Sequence, residues 1–170
     1  ETIAINYGFD NDYSPLFLEE IENYPTSVSD EEIKNRYDFR YQNSCTIDGA
    51  DTKDMDDGLY GEMLDNGNIR VYVHIADVSH YVKPGSLVFE RACEKATSAY
   101  LNNSVFHMLH YKISNGICSL NPYEDRLTKT VIMDIDPNGN IASFSVVKSV
   151  INSKKKMTYD EVDKILLNEE

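Results

Sequence analysis

Ile69-Arg70-Val71-Tyr72-Val73-His74-Ile75 alternates aliphatic side chains with polar or aromatic ones. A strand points successive side chains to opposite faces, so this run suits a strand with one face buried. Just upstream, Gly58 to Leu64 forms another β-prone run, separated from the first by Asp65-Asn66-Gly67-Asn68. Asn-Gly supplies the positive φ of a tight turn, which predicts a hairpin of 58–64 with 69–78. The arrangement recurs downstream, where Leu127 to Ile135 and Ile141 to Val150 flank Pro137-Asn138-Gly139-Asn140. Two hairpins therefore frame the chain.

Around them the pattern turns helical. Ser14-Pro15 followed by Leu16, Phe17, Leu18 and Ile21 reads as a capped helix with proline in its first turn. Ser29 with Glu32 has the spacing of a capping box and opens a second, short helix; residues 23–28, which include Pro25, are irregular. Between the hairpins, Ser86 to Tyr100 places Leu87, Val88, Ala92, Ala96 and Ala99 near helical spacing, which predicts a helix over that range. Lys112 to Pro122 has no clean period and reads as loop. Thr158 and Glu161 form another capping box ahead of Val162, Ile165 and Leu166. Cys45-Thr46-Ile47 is a short β-prone run that delivers the chain to Asp48. The order helix, hairpin, helix, hairpin, helix implies an α+β fold, a twisted mixed or antiparallel sheet with flanking helices.

Composition narrows the function classes. The chain has 170 residues, 41% of them hydrophobic, enough for a core and for one ordinary domain or part of a larger one. No apolar stretch approaches the roughly 20 residues of a membrane span. Glu1 to Asp10 lacks the positive start and apolar centre of a signal peptide. With no initiator Met, the chain is expected to begin within a longer protein. Cys45, Cys93 and Cys118 show no CxxC spacing and read as buried or free thiols of a reducing, cytoplasmic compartment. His107 and His110 lack the further Cys or His of a zinc finger and read as surface or turn histidines. The net charge of −13 opposes a nucleic-acid role, because such proteins usually present a basic face. Basic residues gather mainly at Lys154, Lys155 and Lys156. Any surface that tracks a phosphate backbone is expected largely outside these residues.

Five aspartates fall within ten residues: Asp48, Asp51, Asp54, Asp56 and Asp57. Crowding like charges is unfavourable unless something positive sits among them. A hard divalent cation suits carboxylate oxygens, whereas the competing reading is a solvated acidic loop. Ile47 before the cluster and Leu59-Tyr60 after it place the acids between apolar strands, which favours the cation. An EF-hand frame starting at Asp54 fails, with Leu59 at its sixth place and Asp65 at its twelfth. A haloacid-type phosphatase wants an apolar strand directly before Asp-x-Asp; here Thr52-Lys53 precedes Asp54-Met55-Asp56.

Three ordered blocks carry a family resemblance. Thr46-Ile47-Asp48-Gly49-Ala50-Asp51-Thr52-Lys53-Asp54-Met55-Asp56-Asp57-Gly58 resembles the signature that opens the catalytic (RNB) domain of the ribonuclease II/R family. Val73-His74-Ile75-Ala76-Asp77-Val78-Ser79-His80-Tyr81-Val82 resembles its next block. Ser114-Asn115-Gly116-Ile117-Cys118-Ser119-Leu120-Asn121-Pro122 with Asp125-Arg126-Leu127 resembles a third, in the form of the bacterial ribonuclease R branch. The likeness runs from about Asp30 to the C-terminus, with residues 1–29 as a helical lead-in and 30–170 as the N-terminal portion of a truncated RNB domain.

The resemblance implies part of the RNB catalytic fold, with the sheet as a partial barrel. It also implies processive, 3′→5′ hydrolysis of single-stranded RNA to nucleoside 5′-monophosphates, with Mg²⁺, or Mn²⁺, as cofactor. No membrane or DNA partner is implied. Asp48, Asp54, Asp56 and Asp57 fall on the family's four active-site aspartates. Asp48 and Asp57 would be metal ligands, Asp54 would complete the shell, and Asp56 would act on the attacking water or a second ion. Asp51 stays a loop acid. Tyr100 falls on the tyrosine that packs against the base at the RNA 3′ end; apart from the resemblance it reads as a core aromatic at a helix end. His74 and Asp77 are read as builders of the sheet. Departures are Asn102 and His107-Met108-Leu109-His110, where the family has prolines, and Lys53 in place of arginine. Complete members carry flanking oligonucleotide-binding barrels and a longer catalytic domain, so these 170 residues alone are expected to be inactive. The competing class is a non-catalytic relative that keeps the fold as an RNA-binding or scaffold module, against which the four intact aspartates argue.

Overall fold

The computed structural model describes residues 2–7, 9–101 and 104–167. In chain order the elements are α1 (Thr2–Asn6), α2 (Pro15–Glu22), α3 (Asp30–Ile33), β1 (Tyr37–Asp38), β2 (Cys45–Asp48), β3 (Asp57–Met63) and β4 (Ile69–Ala76). There follow α4 (Val78–Tyr81), α5 (Leu87–Lys95), β5 (Ala99–Leu101), β6 (Ser104–Phe106), a π-helical turn at Ile113–Ile117, β7 (Asp125–Ile135), β8 (Ile141–Asn152), β9 (Lys155–Thr158) and α6 (Tyr159–Leu166). Among the described residues no helix is long and apolar enough to cross a membrane.

Seven strands form one sheet in the order β1-β8-β7-β4-β3-β2-β9. The centre is antiparallel, while β1 pairs with β8 and β9 with β2 in parallel, so the sheet is mixed. It is open, with β1 and β9 as its edges, and not a closed barrel. β5 and β6 form a separate two-stranded ribbon.

Both expected hairpins form. Gly67 and Gly139 each sit at φ 84°, the left-handed region that a side chain disfavours. Asn66 Oδ1 accepts from the Asn68 N–H (3.1 Å), and Asp136 Oδ1 accepts from the N–H groups of Asn138 (2.9 Å) and Asn140 (2.8 Å). These side chains tie each turn to its own backbone and so set the strand registers.

The alternation in β4 predicts one buried face but not which one. Inward go Tyr72, His74 and Ala76, while Ile75 on the other face is exposed. Several polar atoms on the buried face are paired within the sheet, although His74 Nε2 has no partner among the described residues. His74 Nδ1 meets Thr130 Oγ1 at 2.8 Å, Thr130 meets Ser149 Oγ at 2.5 Å, and the Tyr72 hydroxyl donates to Glu62 (2.9 Å). Phe17 and Ile21 of α2 join Val88 of α5, Ile113, Ile117 and Leu120 in the core against this face, so the 1–29 lead-in packs into the same core.

One helix is shorter than its sequence suggests. α5 stops at Lys95, and Ala96 turns left-handed at φ 59°. Residues 99–101 then pair with 104–106 across Ala99↔Phe106 and Tyr100↔Val105. Burial of Phe106 and the bond from Met108 N–H to Ser98 Oγ (2.9 Å) outweigh the helical spacing of Ala96 and Ala99. Tyr100 is thus on a strand, and exposed, rather than a core aromatic at a helix end. The Asn102 departure lies outside the described residues.

Candidate metal centre

The sheet itself brings the acids together. Asp48 ends β2 and Asp57 begins β3, and these strands are antiparallel neighbours with Cys45 opposite Leu59. Their connection, residues 49–56, begins with a turn closed by the Thr52 N–H to the Gly49 carbonyl (3.1 Å). It ends around Met55, the buried apolar side chain among the acids, which is only 3% exposed and part of the core. Asp56 and Asp57 lie at the surface and Asp54 is half-buried.

Remote elements hold this connection by its backbone. Leu120 N–H donates to the Met55 carbonyl (2.7 Å), and Ala76 N–H, at the end of β4, donates to the Asp56 carbonyl (2.9 Å). Ser119 Oγ accepts from Met55 N–H (3.2 Å) and donates to the Lys53 carbonyl (2.8 Å). Ser119 is in turn fixed by Arg126, whose buried Nε donates to the Ser119 carbonyl (2.8 Å). On the other side, Lys156 Nζ of β9 donates to the carbonyls of Ala50 (2.8 Å) and Thr52 (2.6 Å). All three blocks quoted from the sequence therefore meet here. The positional roles of Ser119, Arg126 and Lys156 were not legible in the sequence, because each acts through backbone atoms that leave no residue pattern.

The electrostatics are those of crowded carboxylates. Asp48 is pushed above the usual carboxylate range by burial and by the charges of Asp57 and Asp56. Asp56 is raised likewise by the protein packed about it and by Asp57 and Asp54. Asp48 Oδ2 is buried without a hydrogen-bond partner. An all-oxygen donor set with an orphaned buried oxygen fits a hard divalent cation. Among the described residues no group of three or more His, Cys, Asp or Glu side chains is already arranged to hold an ion, so the carboxylates would have to turn inward to share one. Asp51 sits exposed on the opening turn and takes no part in the shifts of Asp48 or Asp56.

Tyr100 reaches this centre from β5. Its phenol donates to Asp54 Oδ2, and that bond, followed by burial, raises the phenol's pKa. Asp54 and Tyr100 line two neighbouring clefts. One, of 300 Å³, is walled by Asp56, Ser98, Met108 and Leu109; the other, of 450 Å³, by Lys53, Val105, His107 and Asn115. His107 therefore faces a cleft, whereas His110 is buried against the Tyr13 ring (5.0 Å between centroids). His74 is wholly buried, and burial lowers its pKa to about 4. Asp77 is also buried; despite that burial, Arg36 at 2.8 Å and Ser79 hold its carboxyl below the usual range. Arg36 and the His80–Glu32 contact (2.7 Å) extend this network towards α3.

The family model of the RNB domain matches residues 36–170. The chain belongs to the RNB domain family. Its sequence is 43% identical over 153 residues to Ribonuclease R 1 of Lactococcus lactis, covering 90% of this chain and 19% of that protein. It is 46% identical over 149 residues to Ribonuclease R of Thermotoga maritima, covering 88% of this chain and 21% of the relative. Among solved structures, Mycoplasma genitalium RNase R in complex with ribose-methylated single-stranded RNA superimposes with a TM-score of 0.90 at 28% identity, covering 99% of this chain and 26% of that one. This RNB chain therefore spans about a fifth of the length of the curated relatives it matches.

Proposed function

We propose that this RNB chain carries the carboxylate centre of a metal-dependent exoribonuclease acting processively from the 3′ end of single-stranded RNA and releasing nucleoside 5′-monophosphates. The observation that carries the reading is the connection between Asp48 and Asp57, in which crowded carboxylates, one with an orphaned buried oxygen, are held in place by bonds to the backbone from three distant segments. The kinship with ribonuclease R proteins and the RNA in the Mycoplasma complex support the substrate class.

In this reading Asp48 and Asp57 hold Mg²⁺ or Mn²⁺, Asp54 completes the shell, and Asp56 orients the attacking water or a second ion. The ion supplies charge stabilisation at a phosphoryl oxygen. Asp56, which lines the same cleft as Asp54 and Tyr100, is placed to accept a hydrogen bond from that water. The Tyr100 ring gives a sequence-tolerant stacking surface for a terminal base beside Asp54. The acidic balance of −13 leaves grip on the RNA backbone to oligonucleotide-binding domains flanking this region in a longer, cytoplasmic parent. The 170 residues alone are then inactive or nearly so.

The test is a 5′-labelled single-stranded RNA incubated with Mg²⁺ and the longer parent, with and without Asp56→Asn. Loss of one oriented carboxylate should abolish the ladder of shortened products and leave most RNA binding intact. Normal cleavage by Asp56→Asn removes the role given to Asp56. Vigorous degradation by the 170-residue chain itself removes the claim that it is inactive.

A further inference from the structure

We propose that Lys156 is the positioning residue of the carboxylate connection, the strut that fixes residues 49–53 and thereby sets Asp48 and Asp54 relative to each other. The inference rests on reading the aspartates as a metal centre.

Lys154-Lys155-Lys156 looks in sequence like a small basic patch, yet the three ammonium groups have separate attachments. Lys154, in the link between β8 and β9, donates its Nζ to Asn152 Oδ1 at 2.9 Å, at the end of β8. Lys155 faces Glu161 of α6 at 3.5 Å. Lys156 alone of the three reaches the connection, where it donates to the Ala50 and Thr52 carbonyls. Two carbonyls on one ammonium make a charge-assisted, geometrically demanding pair of bonds.

Both ends of the strut are anchored. β9 pairs in parallel with β2, placing Lys156 opposite Thr46 and Thr158 opposite Asp48. The capping box at Thr158 and Glu161, with Thr158 N–H to Glu161 Oε2 at 2.7 Å, then fixes the end of β9 where α6 begins. At the far end, the turn Lys156 grips is otherwise closed by the single backbone bond from Thr52 to Gly49. A strut to the first part of the connection therefore shapes the turn.

Lys156→Met, Lys156→Arg and, as a control, Lys155→Met test this in the 170-residue chain. Amide hydrogen exchange at residues 50–54 and Mn²⁺ binding, followed by the electron paramagnetic resonance of free Mn²⁺, are the two readouts. Loss of a charge-assisted pair is expected to speed exchange at 50–54 about tenfold and weaken Mn²⁺ binding by a similar factor. The melting temperature should hardly move, Lys156→Arg should restore both readouts, and Lys155→Met should change neither. Unchanged exchange at 50–54 in Lys156→Met overturns the proposal, as does faster exchange with unchanged Mn²⁺ affinity. If the unaltered chain binds no Mn²⁺ while Lys156→Met still loosens the turn, the metal reading fails and the hold of Lys156 on the connection stands.

Discussion

The two halves of the Asp48–Asp57 connection solve the same problem by different means. The second half, from Lys53 to Asp57, is built into the protein: Met55 is in the core, and Ser119, Leu120 and Ala76 occupy its backbone groups. The first half, from Gly49 to Thr52, is a surface turn held by one lysine from an edge strand. A buried half gives fixed positions to Asp54, Asp56 and Asp57, at the cost of needing several remote segments folded first. A tethered half leaves Asp48 a neighbour that is adjustable, which matters for a set of carboxylates not yet arranged around one point.

If that contrast is right, the second half should break with the fold. Met55→Ala removes a nearly fully buried side chain and is expected to cost about 3–4 kcal/mol in urea unfolding, within the range for such truncations. A loss below about 1 kcal/mol would mean that the core does not anchor the acids.

Acid should act on the same half. His74 lies just past its end, on β4 opposite Gly58 of β3, and its folded pKa of about 4 is below the ordinary value of 6.5. Between those values the unfolded chain binds a proton that the folded chain refuses, so stability falls as pH drops through 6.5 towards 4. The full difference is about 3 kcal/mol. Unfolding measured from pH 7 to 4 should show this slope, and His74→Gln should flatten it. Asp77, held below its usual range despite its burial, keeps its contribution above pH 3.8 and loses it only at lower pH, so the two groups separate on the pH axis.

Ser119→Ala is the smaller lesion. It deprives Met55 N–H and the Lys53 carbonyl of their partner, for an expected cost of about 1–2 kcal/mol. Exchange should quicken at residues 53–56 and not at 49–52. Equal quickening along the whole connection would abolish the distinction between its halves.

The sequence made one side of this comparison far more legible than the other. Asn-Gly turns and period-two alternation determine the two central hairpins locally, so the strands that carry Asp57 and His74 could be read from residues alone. The crowding of Asp48, Asp54, Asp56 and Asp57 was also visible, because like charges in a short span demand a physical reason. What escaped was whatever depends on non-local pairing. The end of α5 at Lys95 and the strand at Tyr100 follow from pairing with 104–106, against a helical spacing that persists to Ala99. The inward turn of Tyr72 and His74, rather than Val71 and Val73, depends on hydroxyl partners from β7 and β8. Lys156 looked like part of a basic patch until β9 was placed beside β2.

Tyr100→Phe gives the finest test of the comparison, because it removes the side-chain bond to Asp54 and spares every backbone bond to the second half. Tyr100 is 62% exposed, so its hydrogen bond competes with water and should add little to stability. The expected change in unfolding free energy is within about 0.5 kcal/mol, with exchange at 54–57 unchanged. The phenylalanine keeps the aromatic face, so any stacking on a terminal base should survive, whereas Tyr100→Ala should weaken binding of a labelled oligonucleotide by the longer parent about tenfold. If Tyr100→Phe instead frees the 54–57 amides, the second half is held by the phenol as well as by the core. Asp54 would then belong with Asp48 among the acids that a single side chain keeps in place.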